Sequence, residues 1–124
     1  MTVNVLGTAY TIIVKKYSDD PYFGKWDATG YRDGMLKEIV LCDLTTYPGF
    51  EDETAEYMVA VHKKTLRHEI VHAFLYESGL DANSQKAGGA WANNEEMVDW
   101  IAIQGPKIYR AWLEARALGG DGDA

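Results

Sequence analysis

The amino-acid sequence predicts an α+β fold, in which a small antiparallel sheet of about three strands packs on two helices. Three observations support it: a segment near the N-terminus rich in β-branched and aromatic residues, a hairpin signal after it, and two long segments with helical periodicity. The chain has 124 residues, enough for one modest hydrophobic core. We therefore expect one domain over residues 1–118, followed by a disordered tail over residues 119–124.

The first predicted strand covers residues 8–16, with the sequence TAYTIIVKK. Its β-branched and aromatic residues favour a strand, and their alternation places Tyr10, Ile12 and Val14 on one side of it. The polar, turn-rich segment SDDPYFGKWD is expected to end this strand.

A hairpin is predicted around Asp33 and Gly34, a dipeptide that tolerates the positive φ angles of a tight turn. Its strands are expected within residues 28–32 and 35–44, which would complete a small antiparallel sheet. Apolar residues occur on both faces of the second segment, so this strand is expected to be covered on both sides over part of its length.

The first predicted helix runs from about residue 54 to residue 78. Acidic residues at positions 51–53 suit the positive end of the helix dipole, and Gly79 is expected to end the helix. At about 100° per residue, one side of this helix is apolar and the opposite side carries reactive groups. The apolar side consists of Val59, Leu66, Ile70, Ala73 and Phe74, and the opposite side of Thr65, His68, Glu69, His72 and Tyr76.

Residues 80–94 are small, polar and without periodicity, which predicts a loop that could border a cleft. A second helix is expected to follow, capped by Asn93 or Asn94. Gly105 and Pro106 predict a kink or break in it. Its predicted apolar stripe consists of Met97, Ile101, Ile108 and Trp112.

Composition and charge exclude several classes of partner. The net charge of −7 and the scattered basic residues argue against binding of nucleic acid. No apolar run approaches the roughly 20 residues of a membrane span, and the N-terminus lacks the features of a signal peptide. Cys42 is the single cysteine, so no disulfide can form within the chain, and we expect a reducing, cytoplasmic location.

The sequence HEIVH, at residues 68–72, has the spacing of a metal-binding helix. Histidines at positions i and i+4 project from one face, so His68 and His72 can bind one ion, and Glu69 can reach a water beside it. A catalytic zinc ion needs a third protein ligand and an open position. The remaining histidine, His62, lies about 9 Å from His68 along the helix and on another side, so the third ligand should be a carboxylate.

The start of the second helix, NEEMVD at residues 94–99, offers this carboxylate. Glu95 and Asp99 are one turn apart, so one can bind the metal while the other accepts a hydrogen bond from a ligating imidazole. Glu96 is the alternative ligand, but it lies about 100° around the helix from Glu95 and could instead form a capping box with Asn93. We therefore place Glu95 ahead of Glu96 as the ligand.

HEIVH followed by NEEMVD resembles the gluzincins, which are zinc peptidases with an HExxH helix and a later helix that carries a glutamate ligand, often as NExxxD. The short chain and the phrase EEMVDWIA are also similar to minimal domains of this kind, including the ImmA/IrrE group and small phage-encoded metallopeptidase-like proteins. The resemblance covers residues 65–108. It implies a zinc ion bound by His68, His72 and Glu95, with Glu69 as general base and Asp99 supporting a histidine ligand. The later subdomain of larger members, with its transition-state tyrosine and histidine, has no recognisable counterpart in this chain.

The expected function is therefore zinc-dependent hydrolysis of peptide bonds in a peptide or protein substrate. An exposed edge strand, in residues 28–32 or 36–42, would pair with the extended substrate. The alternative is a catalytically silent, zinc-stabilised module that binds or regulates another protein.

Several other residues could have either a role at the site or an ordinary role in packing. Tyr76 is a candidate for stabilising the transition state and Trp91 for contacting the substrate. Thr65 and Tyr109 are weaker candidates of the same kind. Cys42 is expected to be an inert buried thiol.

Overall fold

The computed structural model describes residues 1–81 and 94–118, and its architecture is α+β, as predicted. Within these residues, four strands form one sheet in the order β1-β2-β4-β3. The strands are β1 (Thr2–Val5), β2 (Thr8–Lys15), β3 (Gly30–Asp33) and β4 (Glu38–Cys42). The α-helices of the described residues are α1 (Pro21–Trp26), α2 (Ala55–Glu77) and α3 (Glu95–Glu114). The predicted tail, residues 119–124, lies outside the described residues.

The sheet has one strand more than predicted, and it is mixed rather than fully antiparallel. β1 pairs antiparallel with β2, and β3 with β4, whereas β2 and β4 run parallel. The parallel pair arises because the chain reverses once on entering β3 and again on entering β4. β4 therefore lies inside the sheet, and β3 forms one of its edges.

β1 is absent from the predicted sheet, although Val3 and Val5 alternate with polar residues. Leu6 and Gly7 connect it to β2, and both have positive φ values, 52° and 89°. Two such residues form the tight turn whose twist matches that of a hairpin. Because β1 has only four residues, its periodicity is too short to identify it by alternation alone.

The connection between β3 and β4 spans residues 34–37, which is longer than the predicted tight turn. Its positive φ value, 57°, falls on Lys37 instead of Gly34. Gly34 is needed for a different reason, since a Cβ atom there would lie 2.5 Å from ring atoms of Tyr76. The turn is stabilised by Asp33, whose Oδ1 accepts hydrogen bonds from the amides of Met35 and Leu36 at 3.0 Å.

α1 occupies the segment that the sequence suggested was only a turn. Asp20 caps the helix by accepting a hydrogen bond from the amide of Tyr22 at 3.0 Å, and Pro21 follows at the first helical position. The helix ends at Asp27, which adopts a left-handed conformation. Six residues are too few to show helical periodicity, so the capping signal had no pattern to support it.

α2 begins after Thr54 and ends before Gly79, as predicted. The predicted apolar side is partly wrong, because Val59 and Phe74 are exposed. Ala73 is buried against the sheet. Glu69, on the side predicted to be reactive, is buried as well. The helix thus turns the boundary between its apolar and reactive sides toward the sheet, which places Glu69 in a buried position.

α3 begins directly after Asn94, whose Oδ1 accepts a hydrogen bond from the amide of Met97 at 2.8 Å. The helix is continuous through Pro106, so the expected break is not found. Val98 and Ala102 form the centre of its buried side, whereas Trp112, predicted for the apolar stripe, is exposed.

Hydrophobic clusters cover both faces of the sheet. The cluster on the α2 side contains Val5, Tyr10, Ile39, Leu41 and Ala73. The other cluster contains Phe23, Val40, Cys42, Leu44 and Tyr47. β4 contributes to both clusters, as expected for a strand that is covered on both sides. Among the residues described, no helix is long and apolar enough to cross a bilayer.

Candidate metal centre

His68 and His72 lie one turn apart on α2, and their rings turn toward the same point. The Nε2 atoms are 3.1 Å apart, and both side chains are largely buried. Two imidazole nitrogens at this separation can bind a single ion.

Glu95, at the first position of α3, completes a group of three possible ligands. Its Oε2 lies 3.1 Å from Nε2 of His68, and its Oε1 lies 2.9 Å from Nε2 of His72. The cap at Asn94 sets the register of α3, and this register brings Glu95 over the histidines. One potential ligand atom from each of the three residues lies within 4.8 Å of the others.

The chemistry of this group fits a zinc ion. Two ligands at about 2.0 to 2.1 Å from a tetrahedral ion are separated by about 3.3 Å, which is close to the observed separations. Asp99 accepts a hydrogen bond from Nδ1 of His68 at 2.8 Å. This contact fixes the proton of neutral His68 on Nδ1 and leaves its Nε2 lone pair for a metal. Burial lowers the pKa of His72, which also favours the neutral ring that binds metals.

Glu69 lies beside the histidines in a buried position, with only 7% of its surface exposed. Its Oε2 is 3.8 Å from Nε2 of His68, close to the ligand group but not part of it. Burial raises the pKa of Glu69 to about 7, although its electrostatic interaction with His68 opposes the shift. Both the protonated and the ionised form of its carboxyl group are therefore accessible near neutral pH.

The ligand group opens into a cleft of about 800 Å³. Besides α2 and the start of α3, the cleft is lined by residues 28–32, which include most of the edge strand β3, and by Tyr22 and Trp26 of α1. Burial raises the pKa of Tyr22, and the negative charges of Glu69 and Glu95 raise it further. Its phenol is therefore a neutral hydrogen-bond donor at the site.

Tyr22 and Arg32 are cleft residues that the sequence analysis did not identify. Both come from N-terminal elements, far along the chain from HEIVH, and no motif spacing links them to it. The unrecognised helix α1 carries Tyr22, and the edge position of β3 brings in Arg32. Only the recognition of α1 from its capping residues could have pointed to Tyr22 in the sequence.

Several candidates occupy positions other than the ligand group. The hydroxyl of Tyr76 donates a hydrogen bond to Sδ of Met35 at 3.6 Å. Thr65 lines the cleft, but its hydroxyl pairs with that of Thr29 at 3.0 Å. Tyr109 is exposed on α3.

Glu96, His62 and Cys42 do not belong to the ligand group. Glu96 lines a different surface pocket, with Met97 and Trp100. His62 borders a third pocket near Leu44. Trp91 lies outside the described residues. Cys42 is buried with a free thiol, and burial raises its pKa, so it stays protonated.

Comparison of the chain with models of known protein families, with curated proteins and with solved structures finds no match.

Proposed function

We propose that this protein is a zinc-dependent peptidase in which His68, His72 and Glu95 hold the ion. The observation that carries the proposal is the convergence of these three side chains beside a buried glutamate that is not itself a ligand. A zinc site built only for stability fills all four positions with protein ligands, whereas three ligands leave one position open for chemistry. The resemblance to gluzincins, based on HEIVH and NEEMVD, supports the same assignment.

Zinc bound in such a site supplies an activated water near neutral pH and polarises a carbonyl group. Glu69 accepts a proton from the attacking water and returns it to the nitrogen of the leaving amine. Asp99 keeps His68 in the tautomer that a metal ligand needs.

The substrate we propose is an extended peptide that pairs with the edge of β3. This strand lines the cleft, and its outer side has no partner strand in the described sheet. Main-chain pairing along an edge binds peptides of varied sequence. The other predicted edge, residues 36–42, does not serve this role, because β4 lies inside the sheet. The free, buried Cys42 suits a reducing, cytoplasmic location.

The proposal is tested by measuring zinc content and peptide hydrolysis together. Natively purified protein should contain one zinc ion per chain and hydrolyse unstructured peptides, and Glu69→Gln should keep the zinc and lose the hydrolysis. His68→Ala and His72→Ala should lose both, with His62→Ala as a matched control that loses neither. Stoichiometric zinc without hydrolysis would instead support the zinc-stabilised binding module, and zinc retained by both variants of the histidine pair would reject the site.

A further inference from the structure

Arg32 lies beside the reactive part of α2. Alternate residues of a strand point to the same side, so Arg32 shares a side of β3 with Gly30. A Cβ atom at Gly30 would lie 2.8 Å from Cγ2 of Thr65, and one at Gly34 would lie 2.5 Å from the ring of Tyr76. Arg32 is thus placed between these contacts, next to the stretch of α2 that carries Glu69 and His72, and it lines the same cleft.

The guanidinium group of Arg32 is only partly neutralised by the described residues. Its nearest described carboxylate, Asp81, is 3.8 Å from Nη2, which is beyond hydrogen-bond distance. The group stacks over the ring of Tyr76 at 4.7 Å. Its Nε is buried, and no described residue accepts a hydrogen bond from it. A buried donor without a partner is costly, so this arginine favours the arrival of an acceptor.

The charges around Arg32 restrict where an anion can bind in the cleft. The acidic residues that line it are Asp27, Glu69, Glu95 and Asp99. Arg32 and Lys64 are the basic residues in the described lining. Of these two, Arg32 is half-buried in the cleft wall, whereas Lys64 is exposed. A carboxylate that enters the cleft is attracted to Arg32 and repelled from its acidic side.

We propose that Arg32 determines specificity by binding a carboxylate of the peptide substrate next to the bond that is cleaved. Guanidinium binds a carboxylate through two parallel hydrogen bonds, which adds orientation to affinity. The carboxylate comes either from an aspartate or glutamate side chain or from the C-terminus of the peptide. This inference rests on the proposed peptidase function, but binding of the carboxylate can be measured without hydrolysis.

The test uses matched peptides with Asp, Asn or Lys beside the same central bond, each with a free or an amidated C-terminus. Binding is measured with the zinc-loaded Glu69→Gln protein, and hydrolysis with the parent protein. The carboxylate peptides should bind roughly 10- to 100-fold more tightly than their neutral counterparts, as expected for a charge-assisted hydrogen bond. Loss of the preference on replacing Asp by Asn identifies a side chain as the source, and loss on amidation identifies the C-terminus.

Arg32→Met should abolish the preference, Arg32→Lys should retain part of it, and Arg32→Glu should transfer it to the Lys peptide. A merely structural arginine would not exchange one preference for another. Lys64→Met is the matched control for removal of a cleft cation, and it should keep the preference. Melting temperatures identify any variant that fails to fold, in which case Arg32→Lys and the peptide series of the parent protein carry the test.

Three results would overturn the inference while leaving the peptidase intact. They are hydrolysis without any preference for a carboxylate, an Arg32→Met variant that lowers kcat equally for all peptides, and loss of the preference in Lys64→Met alone. Conversely, peptides that bind with a preference dependent on Arg32 but are never hydrolysed would reject the peptidase and support the binding role of Arg32.

Discussion

At the scale of single residues, the carboxylates at the start of α3 differ in position and therefore in role. Glu95 contacts both histidines, Asp99 contacts only Nδ1 of His68, and Glu96 faces another pocket. In the proposed zinc site, Asp99 would hold a ligand in place without being one. The same helical turn would therefore supply a direct ligand, a supporting acceptor and a residue outside the site.

These positions predict an order of zinc affinities among three variants. Glu95→Ala should weaken zinc binding most, because it removes one of the ligands, and Asp99→Ala should weaken it about 10- to 100-fold by releasing His68. Glu96→Ala should leave the affinity unchanged and serves as the control. Competitive titration against a zinc-binding dye measures all three. Loss of zinc in Glu96→Ala with retention in Glu95→Ala would show that Glu96, and not Glu95, is the ligand.

Asp20 is a buried carboxylate that ties α1 to the sheet. Although its burial alone would raise the pKa, hydrogen bonds from the hydroxyl of Tyr31 and the amide of Tyr22, with the charge of Lys15, lower it below its usual value. A carboxylate with a lowered pKa stabilises the fold above the pKa of the unfolded chain. That contribution is lost as the pH falls through the folded-state value.

The Asp20→Asn variant should therefore be less stable than the parent by about 1 to 2 kcal/mol at pH 7. The difference should shrink as the pH falls from about 4, where Asp20 of the unfolded chain becomes protonated, through the lower pKa of Asp20 in the folded protein. Urea unfolding measured across this pH range tests the prediction, with the exposed Asp19→Asn as the control. A difference that stays constant down to pH 2 would show that the charge of Asp20 does not contribute.

The residues predicted from sequence were those whose geometry is set by one helix. The spacing of His68, Glu69 and His72 determines their separation in any regular helix, and the cap at Asn94 sets the register of Glu95. Tyr22 and Arg32 reach the cleft through packing between distant elements instead. No spacing in the sequence encodes that packing, so they could be identified only from the structure.

At the scale of elements, α2 and α3 are joined through a carbonyl group that Pro106 leaves without its helical partner. Proline has no amide hydrogen, so the carbonyl of Ala102, four residues earlier, receives no hydrogen bond from position 106. Nε of Arg67 donates to this carbonyl at 2.6 Å instead. The proline that predicted a break therefore becomes a site of attachment for α2.

Arg67→Met should destabilise the protein by about 1 to 3 kcal/mol, because it leaves the buried carbonyl of Ala102 without a partner. In a Pro106→Ala background the same substitution should cost less, since the new amide supplies the missing helical hydrogen bond. A double-mutant cycle of denaturant unfolding measures this coupling, which we expect to be about 1 kcal/mol. Lys63→Met, an exposed substitution earlier on α2, controls for the lost charge. Strict additivity of the two substitutions would show that Arg67 and Pro106 are not coupled through the carbonyl of Ala102.

Long elements were easier to predict than short ones. The 23 residues of α2 give several turns of periodicity, together with a cap at Thr54 and a glycine after the end. β1 and α1 have four and six residues, too few for a pattern to repeat. The parallel pairing of β2 with β4 was also beyond prediction, because it depends on which strand of a hairpin faces the rest of the sheet.

At the scale of the whole molecule, the two hydrophobic clusters join the sheet to α1 and α2 but include no residue of α3. The contacts of α3 with the described parts of the molecule are concentrated on α2, around Val98 and Ala102 and the bond from Arg67. Two ligands of the proposed zinc site come from α2 and one from α3. The bound ion would therefore add a second connection between α3 and the rest of the fold.

Removal of zinc should accordingly lower the melting temperature and loosen α3 before the sheet. A ligand that binds only the folded state at 100 times its dissociation constant adds about 2.7 kcal/mol, which for a chain of this length corresponds to roughly 10 °C. Calorimetry with and without a chelator measures the shift, and hydrogen exchange locates it. We expect amide protection to fall in α3 while that of β2 and β4 changes little.

The control is His68→Ala, whose melting temperature should not shift on chelation, because this variant has already lost the site. An unchanged melting temperature for zinc-loaded parent protein after chelation, or an equal loss of protection in sheet and α3, would show that the ion does not join the two helices.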